Sequence, residues 1–363
     1  MPGTDDILDK IRYLAQFTQR PVKLSQLFEF GRSPTSNVLM TAAQFLHQEL
    51  PVRLAHRVAE LESLPCGLSE MPSVRSVRGM YIDSISDLNQ LARPDTTESE
   101  LAFTHSIEAI KRRHNNVVSI MAKGIQELKQ MRGSEALDPR IQAFLDRFYL
   151  SRIGVRMLIG QHISLHDPPR PGFAGLISQR CSPREMIRRA MESARSLCVE
   201  RYGCAPELGV YGRAELVFTY ISSHLHHMLF ELLKNSLRAV VERHGSREES
   251  LPRVRVVIAE GEEDVTIKIS DEGGGIPRSG IDRIWTYLYS TAPPPSDGFE
   301  IEHENDFSAP MAGLGYGLPL SRLYARYFGG DLQILSMEGF GTDAYLHLKR
   351  LATTEENVPR KLL

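Results

Sequence analysis

His227, Glu231 and Asn235 recur four residues apart, with Arg238 three further on, so on a helix their side chains rise from one face. Met228, Leu229, Leu232, Leu233 and Leu237 fill the positions between and would hold that helix against a core. Downstream come two glycine-rich turns, Asp271-Glu272-Gly273-Gly274-Gly275 and Gly313-Leu314-Gly315-Tyr316-Gly317. Glycine lets backbone amides approach phosphates closely, and the helix expected from Leu318 onward adds its positive N-terminal end. Asn235 on an otherwise apolar helix is costly if buried without partners. A magnesium ion would explain it, because Mg²⁺ prefers oxygen ligands and keeps phosphate and water in its shell. An acid and an amide on one helix face, followed by two glycine turns, form a layout for holding ATP and Mg²⁺.

Each motif also has a plainer reading. Either glycine turn alone is an ordinary turn; two of them downstream of the same polar row are harder to reach by chance. Asp271, ending a strand before glycines, could accept a hydrogen bond from the adenine exocyclic amine or simply cap the turn, and the residues leave both open. His224, His226 and His227 lack an H-E-x-x-H frame or a cysteine partner, which argues against a metal site there. His227, one turn before Glu231, is better placed to orient a carboxylate, or the two form a solvated helix-face pair. The second glycine turn is not G-x-G-x-x-G, because its sixth position is Leu318, and no P-loop, H-R-D or D-F-G motif occurs.

Two kinds of scaffold must position these residues. Up to about residue 165 apolar residues recur at helical spacing, predicting helices over 38–64, 74–91, 101–131 and 141–162 that pack as an antiparallel four-helix bundle. Breaks fall at Pro65-Cys66-Gly67, Ala92-Arg93-Pro94-Asp95 and Gly133-Ser134, and Asp167 to Gly172 marks the boundary. Beyond it the spacing predicts a helix over 183–199 capped by Ser182, helices over 225–243 and 318–328, and β-rich pairs at 254–259/265–270 and 332–336/344–348. A mixed sheet with helices on one face, an α/β sandwich, follows. Residues 290–312 stand apart, with three consecutive prolines, carboxylates at Asp297, Glu300, Glu302, Glu304 and Asp306, and no lysine or arginine; they read as a lid or loop. The expected division is 1–168, 178–350 and a short tail, 351–363.

Composition narrows the classes. A chain of 363 residues suggests two domains, and 43 Lys and Arg against 45 Asp and Glu give no sign of a nucleic-acid partner. Cys66, Cys181, Cys198 and Cys204 form no C-x-x-C pair and suit a reducing compartment. No apolar run approaches the roughly 18 residues of a membrane span, so the chain does not read as an integral membrane protein. No transit or signal peptide is visible at the N-terminus.

The chain resembles the mitochondrial pyruvate dehydrogenase kinases, within the GHKL superfamily that also holds histidine kinases, Hsp90-like chaperones and MutL-like proteins. Glu231-Leu-Leu-Lys234-Asn235 is similar to the family's N-box, and the two glycine turns to its glycine boxes. Similar runs include Glu49 to Leu54, Arg113-His114-Asn115, Phe144 to Arg152, Tyr289 to Ala292, Ser321 to Arg326 and Met337 to Asp343. The resemblance implies a helical bundle for regulation and docking followed by a Bergerat-type (GHKL) α/β sandwich. It implies that Glu231 is the general base toward a substrate serine, with His227 supporting it, and that Asn235 holds Mg²⁺. Lys234 and Arg238 would approach the phosphates, and Asp271 and Thr342 would read adenine. Gly273, Gly275, Ser290, Thr291 and Gly313, Leu314, Gly315, Tyr316, Gly317 and Leu318 would line the nucleotide and its lid. Leu54, Tyr81, Ser84, His114, Ser151, Arg152 and Arg156 fall where the family binds pyruvate-like acids. The implied reaction inactivates the pyruvate dehydrogenase complex by phosphorylating its E1α subunit in the mitochondrial matrix. The implied partners are the lipoyl domain of E2 and a second copy of the chain, as a homodimer. Two departures are visible: Lys111 stands where animal members tend to have arginine, and the sole tryptophan, Trp285, is not in an Asp-Trp pair after the last strand. A branched-chain 2-oxoacid dehydrogenase kinase, or a non-catalytic module that binds nucleotide and a lipoyl domain, are the alternatives.

Overall fold

The computed structural model describes residues 4–133, 138–245, 251–289 and 315–359. Ser290, Thr291, Gly313 and Leu314, and the acidic stretch between them, lie outside the described residues.

The first half is helical: α1 (Thr4–Leu14), α2 (Leu24–Gly31), α3 (Ser36–Glu62), α4 (Pro72–Gln90), α5 (Thr97–Arg113), α6 (Val117–Arg132) and α7 (Pro139–Ser164). Starts are set by local chemistry. Thr35 accepts from the Val38 amide, Thr96 from the Ser99 amide and Asp138 from the Arg140 amide, while α4 and α7 carry proline in their first turn. The single helix expected over 101–131 is two helices, α5 and α6, parted at His114-Asn115-Asn116. The reason lies outside the segment. Arg152 of α7 donates to the His114 and Asn115 carbonyls at 3.2 Å, and Arg156 donates to the Lys111 carbonyl at 3.2 Å and Asn115 Oδ1 at 3.0 Å. Carbonyls left over at the end of α5 are thus met by guanidinium groups from a neighbouring helix. The bundle is therefore α3, α4, α7 and the broken pair α5–α6, with α1 and α2 added to it.

The second half is built around a five-stranded sheet. It contains β3 (Leu208–Gly212), β5 (Val254–Glu260), β6 (Asp264–Asp271), β7 (Asp331–Met337) and β8 (Gly341–Lys349), in the order β3-β5-β6-β8-β7. β3 runs parallel to β5 and the other pairs are antiparallel, so the sheet is mixed, as expected. Alternation places Val254, Val256 and Ile258 of β5 and Val265, Ile267 and Ile269 of β6 in the core. Burial of each such side chain is worth about 1.5–3 kcal/mol. Over that face lie α9 (Ser222–His244) and α10 (Gly317–Tyr327), with α8 (Pro183–Tyr202) packed on α9, while Val257, Leu335 and Met337 are exposed on the strands. A second, three-stranded sheet of β1 (Phe173–Ala174), β2 (Ile177–Cys181) and β4 (Phe218–Ile221) was not foreseen from the pattern.

Among the described residues, two groups of contacts at the ends of α10 help to join the halves. Arg53 of α3, fully buried, pairs with Glu49 at 2.8 Å and with Glu356 at 3.1 Å, and the Tyr327 hydroxyl at the end of α10 donates to Glu356. The expected tail is thereby laid on the helical half: Glu356 N donates to the Val22 carbonyl and Ser25 N to the Ala352 carbonyl. The second group is aromatic. Tyr149 of α7, Tyr287 and Tyr316 pack with centroids 5.2–5.7 Å apart, and the Tyr287 hydroxyl donates to Asp146 of α7 at 2.7 Å. Among the described residues no helix is long and apolar enough to cross a membrane.

Candidate active site

Helix α9 carries the polar row, and the surrounding core fixes its orientation. Leu225, Met228, Leu229, Leu232, Leu233 and Leu237 are buried, which leaves His227, Glu231, Asn235 and Arg238 on one line along the helix. Glu231 is buried and accepts from Lys234 Nζ at 2.7 Å, with the ammonium also 5.2 Å over the Phe230 ring. Asn235, one turn on, is half-buried. Arg238 lies 3.7 Å from Glu242, toward the open end of the row. The His227 ring is buried edge-on to Tyr324 of α10, 4.8 Å between centroids, and His224 packs on the same tyrosine.

The first glycine turn closes on this helix from the end of β6. Asp271 is buried; its Oδ2 accepts from Ser236 of α9 at 2.9 Å and its Oδ1 from the Gly273 amide at 2.9 Å. Burial raises its pKa above the usual carboxylate value, against the hydrogen bonds from Gly273, Ser236 and Thr342 that lower it. Thr342 faces Asp271 across the β6–β8 ladder, and its hydroxyl lies 3.2 Å from that of Ser336. Gly273 packs on Ala239 of α9. Gly275 has φ +72°, and a Cβ there would stand 2.2 Å from the Met337 carbonyl, so only glycine fits.

The second glycine turn reaches the same row from the other side. A Cβ on Gly317, the first residue of α10, would lie 2.1 Å from Glu231 Oε2. Leu318 follows in the first turn, partly buried against the core. Gly315 lies against Tyr289, which brings together the described residues on either side of 290–314. The Tyr316 side chain turns into the Tyr149–Tyr287 cluster, so what this residue offers the cleft is backbone. Of the residues singled out from sequence, Glu231, Lys234, Asn235, Asp271, Gly273, Gly275, Gly315, Gly317 and Thr342 converge around α9; Ser290, Thr291, Gly313 and Leu314 lie outside the described residues.

Ser236 was missed. It holds Asp271, and its signal was present as a polar residue inside the buried stripe Leu229, Leu232, Leu233 and Val240.

Of the residues expected to bind a small acid, Tyr81, Ser84, His114, Arg152 and Arg156 come together in the helical half. Tyr81 stacks on His114 at 4.5 Å, Ser84 Oγ lies 3.0 Å from His114 Nε2, and Arg152 and Arg156 reach the α5–α6 junction beside them. Burial, with Arg152 and Arg113 adding to it, pushes His114 down to about 4.

A helix bearing acid and amide, a sheet edge bearing a held aspartate, and two glycine turns meeting that helix define an ATP-binding domain of the GHKL class. Residues 221–352 match the family described as histidine kinase-, DNA gyrase B-, and HSP90-like ATPase, and residues 21–178 match that described as mitochondrial branched-chain alpha-ketoacid dehydrogenase kinase. A mitochondrial [pyruvate dehydrogenase (acetyl-transferring)] kinase of Arabidopsis thaliana is 53% identical over 94% of this chain and 93% of its own length. One from Schizosaccharomyces pombe is 39% identical over 96% of this chain and 97% of its own length, and human isozyme 3 is 42% identical over 95% and 86%. The chain belongs to the mitochondrial pyruvate dehydrogenase kinase family, and its ATPase domain binds ATP.

Proposed function

We propose that this protein transfers the γ-phosphate of ATP to a serine of the E1α subunit of pyruvate dehydrogenase, inactivating that complex in the mitochondrial matrix. What supports this most is the contact of Gly317 with Glu231: the second glycine turn meets the polar row of α9 at its carboxylate. Glu231 acts as general base toward the serine hydroxyl, and the buried His227 ring, fixed by Tyr324, keeps that part of α9 in place. Lys234 now holds Glu231 as an ion pair. Phosphate oxygens entering the cleft compete for the Lys234 ammonium, which leaves Glu231 free to accept the proton.

Asp271, with both oxygens already oriented by Ser236 and Gly273, accepts from the adenine amine, and Thr342 lies alongside it. Gly273, Gly275, Gly315 and Gly317 bring backbone close to the nucleotide, with Leu318 and the backbone of Tyr316 forming the wall; the family resemblance assigns Ser290, Thr291, Gly313 and Leu314 to the same site. Arg238 lies at the phosphate end of the row. Asn235 suits Mg²⁺, since a half-buried amide one turn past Glu231 offers an oxygen and leaves most of the coordination shell to phosphate and water. When bound, the ion neutralises charge on the phosphates, which phosphoryl transfer needs more than covalent help. The cluster of Tyr81, Ser84, His114, Arg152 and Arg156, with Leu54 and Ser151, takes a small carboxylate such as pyruvate. The lipoyl domain of E2 and a second copy of the chain are the partners.

The match of residues 21–178 to the family described for the branched-chain kinase favours one second reading, a branched-chain 2-oxoacid dehydrogenase kinase. Labelling purified E1 of each complex with radioactive γ-ATP decides between them. Preferential, acid-stable phosphoserine on pyruvate dehydrogenase E1 is expected; preferential labelling of the branched-chain E1 would overturn the assignment.

A further inference from the structure

Outside the α9 cleft, α5 and the end of α7 bring two imidazoles onto one carboxylate. His162 lies in the last turn of α7 and His166 in the turn that follows it, and the two rings meet edge-on with centroids 5.0 Å apart. His166 Nε2 lies 3.0 Å from Glu100 Oε1 and 3.2 Å from Oε2, and His162 Nε2 lies 3.1 Å from the same Oε1. The three ligand atoms fall within 4.8 Å of one another, and Glu100 and His162 are buried.

The hydrogen-bond pattern around His166 is the informative part. Its Nδ1 lies 3.1 Å from the His162 carbonyl, which can only accept, so Nδ1 carries the ring proton. In the neutral ring Nε2 is then a lone pair, and it points at two carboxylate oxygens. Either a second proton on the ring or a cation between the groups removes that repulsion. The contacts around His166 and Glu100 suit the cation. Metal-bound histidines are typically oriented by a backbone carbonyl at the other ring nitrogen, and ligating carboxylates by a further hydrogen bond. Here the His162 carbonyl supplies the first and Thr104 Oγ1, 3.1 Å from Glu100 Oε1, supplies the second. Thr104 Oγ1 is also 2.9 Å from His162 Nε2, and the His162 ring is fixed edge-on by Phe103 and His166 at 6.3 and 5.0 Å.

We propose that Glu100, His162 and His166 form a binding site for a divalent transition metal of the zinc class, which staples α5 to the end of α7. Two imidazoles and one carboxylate are a donor set zinc takes readily, with a fourth position left to water. The site does not depend on the phosphoryl-transfer reading, since none of its residues belongs to the α9 cleft.

The test uses the full chain, stripped with chelator and titrated with zinc chloride in the absence of nucleotide and magnesium. One zinc per chain, a rise in Tm, and a visible absorption band of a low-coordinate site on substitution with Co²⁺ are expected. The variant His166→Asn, at a partly exposed position that leaves the buried ligands intact, should lose affinity by more than the ~10–100-fold typical of an outer partner. Circular dichroism checks that it remains folded. Should Glu100→Gln fail to fold, the wild-type Co²⁺ spectrum and His166→Asn still decide. The absence of stoichiometric zinc on the wild-type chain, or undiminished binding by folded His166→Asn, would overturn the proposal.

Discussion

Glu231 touches an ammonium on its own helix and the backbone of the second glycine turn on the next. Because the gap at Gly317 is smaller than a methyl group, Gly317→Ala must displace the carboxylate or the start of α10. The expected outcome is a fall in kcat of roughly 100-fold or more, since small misplacements of a reacting group carry costs of that size; steady-state kinetics with near-normal Tm would check it. Ser236→Ala removes the hydroxyl that fixes Asp271. Hydrogen bonds to charged groups are worth about 1.5–3 kcal/mol, so nucleotide affinity should drop ~10-fold or more in calorimetry, with kcat at saturating ATP little changed. At this scale the polar row was legible because helical spacing alone puts His227, Glu231 and Asn235 on one face. Ser236 was not, because its role depends on a strand that lies far away in the sequence.

Among the elements, α9, α10 and β5 to β8 were readable from periodicity, since each buries one regular face. The break between α5 and α6 was not, because the groups that satisfy it are Arg152 and Arg156 on α7. Nor was β3, whose glycines weaken the strand pattern and whose partner β5 runs parallel to it some forty residues on. The same junction gives a pH prediction. His114, stacked on Tyr81 and facing Arg152 and Arg113, sits at about 4 in the fold against a usual value near 6.5. Between those values the unfolded chain binds more protons than the folded one, so stability is full above pH 6.5 and is lost as pH falls toward about 4. Urea melts across that range should show it, with the slope reduced in His114→Gln; an unchanged slope would contradict the buried neutral imidazole.

Across the whole molecule, the two halves are joined at both ends of α10. Its start follows Tyr316, locked against Tyr149 of α7, and its end presents Tyr327 to Glu356 and Arg53. Removing one member of a buried ion pair leaves an uncompensated charge, worth about 3–5 kcal/mol. Glu356→Ala should therefore destabilise the protein by that order in chemical denaturation, although Glu356 lies in the segment that sequence alone treats as a tail. The packing of that segment was not legible because its few residues carry no periodicity, and its partners, Val22 and Arg53, lie at the opposite end of the chain. The single most direct measurement concerns Glu231→Gln, a change that keeps shape and hydrogen bonding while removing the base. Phosphate incorporation into E1 should fall by roughly 100- to 10,000-fold while Mg-ATP binding by calorimetry is retained. Wild-type rates in that variant would contradict the assignment of Glu231 as the proton acceptor.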